Sequence, residues 1–132
     1  MSRAAAQITL LVPDYDEGIA FFTQALGFEL LEDTPRSPTK RWVRVAQPGS
    51  PVHFLLAQPT TDAQQAALGR QCGDRVFLFL YTDDFWRDYR RMEAHGVAFT
   101  EAPREEEFGT VVVFADPWGN KWDFIQLQDS QP

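Results

Sequence analysis

Apolar and polar positions alternate over residues 7–10, Gln-Ile-Thr-Leu, and run on through apolar Leu11 and Val12, a pattern that predicts a strand over 7–12. The period then lengthens. Ile19, Phe22 and Leu26 recur at helical spacing, with Asp14 placed to cap the helix, Glu17 completing a capping box, and Gly27 supplying a left-handed stop. Extended segments come next at 28–32, 41–46 and 52–57, separated by Pro35-Arg36-Ser37-Pro38 and by Gln47-Pro48-Gly49-Ser50-Pro51, which punctuate turns.

A connector over 59–73 has room for one short helix and carries Gly69 and Gly73 as breakers. The pattern then begins again. A strand at 75–81 leads to a helix at 84–95, capped by Asp83 or Thr82, stopped by Gly96, and striped by Phe85, Tyr89 and Met92. Extended segments occupy 97–100, 110–115 and 121–127, with a hairpin-like stretch at Phe108-Gly109 and a turn at Asp116-Pro117-Trp118-Gly119-Asn120. The chain thus reads as an α+β protein of two βαβββ modules, 5–58 and 74–128, in one domain over 1–132. The modules are expected to form a curved, mostly antiparallel eight-stranded sheet around a cavity. With a helix on one face of each sheet, the other face is left for a ligand.

A length of 132 residues suits one domain, and 14% aromatic residues can line an apolar pocket. The net charge of −7 argues against nucleic acid as a partner, because phosphate recognition needs a basic face. It also favours attraction of a cationic ligand. No apolar run approaches the ~18 residues of a membrane span, so no membrane partner is expected. The single cysteine, Cys72, excludes an intrachain disulfide framework. The N-terminal residues lead into the first strand without the apolar core of a secretory signal, and the expected location is cytoplasmic.

Two stretches carry a resemblance: Gln7-Ile-Thr-Leu-Leu-Val-Pro-Asp14 leading to Ala20-Phe-Phe22 and Leu26-Gly-Phe28, and Phe114-Ala-Asp-Pro-Trp-Gly-Asn-Lys-Trp-Asp123. They resemble the vicinal oxygen chelate superfamily, which holds glyoxalase I, extradiol dioxygenases, and fosfomycin- and bleomycin-resistance proteins. Metalloenzymes of that family draw ligands from the first, fourth, fifth and last strands. Position by position, the resemblance implies Gln7, His53 and Asp123 as metal ligands, with Zn, Ni or Mn as the candidate ions. The remaining ligand position falls on Arg75. A guanidinium has no lone pair to give and repels a divalent ion. The family's complete metal site is therefore absent, and no cofactor is the first expectation.

Strand alternation groups further residues with these. Gln7 brings Thr9 to its face, Arg75 brings Phe77, Phe79 and Tyr81, and Trp42 and Arg44 fall opposite the helix-packed Val43 and Val45. The predicted face is an aromatic pocket holding two arginines and one acid, with Arg75 placed to pair with Asp123. Arginine geometry suits a carboxylate, whereas the acidic composition suits a cation, so ligand charge stays open. Dioxygenase chemistry is disfavoured by the substitutions at the ligand positions.

Two functional readings are consistent with this pattern. One is a binding protein that has diverged from the metal-dependent enzymes and takes an aromatic or carboxylate/carbonyl small molecule. The other is a metal-dependent lyase, isomerase or transferase of glyoxalase type, using Asp123 and His53 as catalytic groups with Gln7. His95 and Cys72 receive no role. The resemblance further implies a homodimer.

Overall fold

The computed structural model describes residues 3–128. The chain forms two compact units, divided in sequence between Leu68 and Gly69. Residues 1–2 and 129–132 of the expected domain lie outside the described residues.

The first unit contains β1 (Gln7–Leu11), α1 (Tyr15–Ala20), β2 (Glu29–Pro35), β3 (Arg41–Ala46) and β4 (His53–Ala57), and then α2 (Asp62–Ala67), the short helix anticipated in the connector. Its sheet runs β1-β4-β3-β2, with β1 parallel to β4 and the other pairs antiparallel. Asp14 caps α1 as expected, its Oδ2 accepting from the Glu17 amide at 2.9 Å.

After Ala20 the helix widens into a π-helical turn, Phe21–Ala25, and the Leu26 amide reaches back to the Phe21 carbonyl. The extra residue in that turn rotates the remaining side chains about the helix axis. Phe22 is fully buried, stacked on Phe54, while Ile19 and Leu26 reach only partial burial. Gly27 ends the helix at φ 72°, a conformation that glycine adopts without Cβ strain.

The second unit contains β5 (Val76–Tyr81), α3 (Phe85–Ala94), β6 (Ala98–Phe99), β7 (Arg104–Glu106), β8 (Gly109–Ala115) and β9 (Lys121–Leu127). Its sheet runs β5-β9-β8-β6, and β7 also pairs with β8. The hydrophobic pattern does not predict β7. Its residues Arg-Glu-Glu carry no apolar alternation, and only the hairpin through Phe108-Gly109 brings them alongside β8. The described residues therefore hold nine strands, in sheets of four and five, rather than eight. Asp84, not Asp83 or Thr82, caps α3, its Oδ1 accepting from the Arg87 amide.

Helices α1 and α3 each pack on one face of their own sheet. In the first unit that face buries Leu10, Val12, Val43, Val45, Phe54 and Leu56. In the second, Phe85 meets Phe124, and Trp122 stacks on Phe114 with its rings 5.7 Å apart. The turn before β9 is locked by Asp116, which is buried. Its carboxylate accepts from the amides of Trp118, Gly119 and Asn120 and from the side chains of Asn120 and Trp122. No helix among the described residues is long and apolar enough to cross a membrane.

Candidate functional site

The face of the first sheet turned away from α1 is built by register. Gln7 lies across from His53, Thr9 across from Leu55, Leu55 across from Arg44, and Arg44 across from Glu32. A polar chain runs across this face. The Thr34 hydroxyl donates to Glu32 Oε2 at 2.9 Å, Arg44 Nε donates to Glu32 Oε1 at 3.0 Å, and Arg44 Nη1 lies 3.0 Å from His53 Nδ1. The hydrogen bond from Thr34, then that from Arg44, holds the Glu32 carboxyl below its usual range.

A guanidinium can only donate, so His53 Nδ1 must accept and Nε2 must carry the ring proton. Arg44 thus fixes one tautomer of His53, with an N–H donor pointing away from the chain. Its own charge is met by Glu32, with both side chains about three-quarters buried. Trp42 shares the face, and the Arg36 guanidinium lies 5.6 Å from its ring centroid.

This arrangement does not fit a metal ion. Gln7 and His53 are cross-strand neighbours, but both imidazole nitrogens are committed, one to Arg44 and the other to its proton. A divalent ion would also sit beside a cation. Among the described residues, no three His, Cys, Asp or Glu side chains converge to hold a metal.

In the second unit the corresponding face carries Asp123 at mid-strand, between Phe79 of β5 and Val113 of β8. Asp123 Oδ1 is buried without a hydrogen-bond partner among the described residues. Burial raises its carboxyl above the ordinary value, Arg104 opposes the rise and Glu101 adds to it. Arg104 is itself engaged by Glu101 at 3.1 Å and by Glu106. Beside Asp123, Phe79 and Tyr81 stand 56% and 54% exposed.

Two expectations for this unit are corrected. Arg75 is exposed and precedes β5, its amide bonded to the Cys72 carbonyl, and it makes no pair with Asp123. Phe77 does not join Phe79 and Tyr81. A bulge between Val76 and Leu78 breaks the alternation, and the Phe77 ring packs edge-on to buried Trp122, 6.0 Å away.

Sequence reasoning missed Glu32, Thr34, Glu101 and Arg104. Counting back along the hairpin from the 36–40 turn would have set Glu32 opposite Arg44. Arg104 lies in, and Glu101 just ahead of, a strand that had no legible pattern. The His95 ring bonds the Arg91 carbonyl through Nδ1, and Cys72 is an exposed free thiol.

Over residues 4–124 the chain matches the family model described as Glyoxalase/Bleomycin resistance protein/Dioxygenase superfamily. An uncharacterized protein of Shewanella frigidimarina is 50% identical over 134 residues, spanning 100% of this chain and 99% of that protein. Two solved structures are similar across almost the whole chain. TnmS3, an antibiotic binding protein from Streptomyces sp. CB03234, has a TM-score of 0.77 at 27% identity, covering 96% of this chain and 98% of its own. UcmS2 has a TM-score of 0.80 at 26% identity, covering 95% and 98%.

Proposed function

Because the chain belongs to the glyoxalase, bleomycin resistance protein and dioxygenase superfamily, we propose that it is a metal-independent member that binds an aromatic small molecule bearing a carbonyl group. The face of the first sheet turned away from α1 supplies the contacts. One observation carries the reading: Arg44 occupies His53 Nδ1 and leaves Nε2–H as an outward donor. That donor suits a carbonyl oxygen, with the Gln7 amide alongside and Trp42 for ring contact. The neutralisation of Arg44 by Glu32 favours a neutral carbonyl over a carboxylate. The antibiotic-binding description of TnmS3 supports sequestration of such a compound rather than its turnover. The reading takes the protein as a cytoplasmic homodimer.

Acetylnaphthalene, a neutral aryl ketone, titrated against chelator-stripped protein by tryptophan fluorescence is the test. Saturable quenching unaffected by added chelator is expected, and His53→Leu should weaken it roughly three- to tenfold, the range of one neutral hydrogen bond. Tight stoichiometric binding of Zn, Ni or Mn, abolished in both His53→Ala and Asp123→Ala, would replace this reading with the metal-dependent glyoxalase-type one.

A further inference from the structure

The sequence leaves the ligand's charge open, with two arginines set against an acidic composition, and the side-chain pairings narrow it. Neither arginine offers an uncompensated charge on a sheet face: Arg44 is paired with Glu32, and Arg75 lies exposed ahead of β5. Asp123 is the reverse case. It sits at the centre of its sheet with apolar Phe79 and Val113 as cross-strand neighbours, and Oδ1 is buried without a partner among the described residues. The nearby cation, Arg104, is shared between Glu101 and Glu106, so these four groups leave an excess of negative charge. Next to the acid, two aromatic rings stand more than half exposed, although each belongs to a residue type that normally buries its ring. Aromatic rings present their negative faces to a cation, and a half-buried carboxylate without a counterion attracts one more strongly than a solvated carboxylate does.

We infer that the face formed by Phe79, Tyr81 and Asp123 takes a protonated amine carried by an aromatic ligand, with the rings against the ligand and the ammonium group on the Asp123 carboxylate. The inference rests on the proposed small-molecule-binding function and specifies the ligand class that the sheet face of the second unit takes. The ammonium donates its N–H to Oδ2, since Oδ1 is closed off.

Three probes of one shape separate the possibilities: naphthylmethylamine, naphthylmethanol and naphthoate, titrated by calorimetry at neutral pH. The amine should bind about tenfold tighter than the alcohol, within the range for a cation on a partly desolvated aromatic and acidic site. Asp123→Asn, which keeps the side chain's shape, should erase that preference by weakening the amine far more than the alcohol. Phe79→Leu should weaken all three probes. Glu93→Gln removes one charge from the exposed surface of α3 and should leave the preference intact. If the alcohol or naphthoate binds as well as the amine, or if Glu93→Gln and Asp123→Asn reduce the preference equally, the cation site is overturned while small-molecule binding survives. If acetylnaphthalene and all three probes fail to bind, the functional reading falls and this inference falls with it.

Discussion

The two units share a topology yet treat charge in opposite ways. In the first, the middle row of the sheet reads Thr9, Leu55, Arg44, Glu32, so the charged residue has an opposite charge on the next strand. In the second, the matching row reads Phe79, Asp123, Val113, and the charge has apolar neighbours on both sides. A buried polar atom without a partner is unfavourable unless something compensates it. The first face pairs its cation with an acid on the next strand, whereas the second holds a carboxylate with no opposite charge across from it. The turns ahead of β4 and β9 differ as well. The earlier turn is held by Ser50, through its amide to the Gln47 carbonyl and its hydroxyl to the Val52 amide, whereas Asp116 collects five donors on one buried carboxylate.

The turn contrast predicts the largest effect. Asp116→Ala should cost about 3 kcal/mol, because it strands several buried donors at once, and chemical denaturation reads it directly. Ser50→Ala in the counterpart turn should cost less than about 1 kcal/mol. Equal losses would mean that the two turns are equivalent after all.

A smaller effect of opposite sign is expected at Asp123. Burial raises its folded carboxyl above the ordinary value, so ionisation is harder in the folded chain than in the unfolded one. Its unfavourable contribution is therefore absent in acid, grows as pH rises through the ordinary carboxylate value toward the raised one, and is constant above that. Asp123→Asn should melt at the same temperature as the wild type in acid and at a higher one at neutral pH. A lower melting temperature at neutral pH would mean that Asp123 already has a partner.

The smallest effect concerns protonation alone. Nitrogen NMR of His53 should report the Nε2–H tautomer in the wild type, and Arg44→Leu should release the ring to a mixture of tautomers. The same substitution leaves Glu32 held chiefly by Thr34, so its carboxyl should titrate closer to the ordinary value. An unchanged tautomer would separate His53 from Arg44.

Much of the fold was legible because it depends on local chemistry. Asp14 and Gly27 mark the first helix by capping and left-handed backbone, and residues 116–120 mark their turn by a carboxylate within reach of its own amides. The candidate site was legible only where alternation held. Trp42, Arg44, His53 and Gln7 do share one face, since β1, β3 and β4 are regular near them. Phe77 and Arg75 were misplaced because a bulge and a strand start are not written in the hydrophobic pattern. Strand β7 went unseen because its sequence is charged throughout.

Residue type and spacing along the chain suffice for the order of strands and helices in each unit apart from β7, and the resemblance carried by residues 7–28 and 114–123 supplies the family and the reading of Arg75 as a position without a ligating group. Which charges are satisfied depends on folding in three dimensions. Glu32 meets Arg44 across strands, and Asp123 meets only Phe79 and Val113, because cross-strand register brings together residues far apart in sequence, and one shifted residue changes every pair.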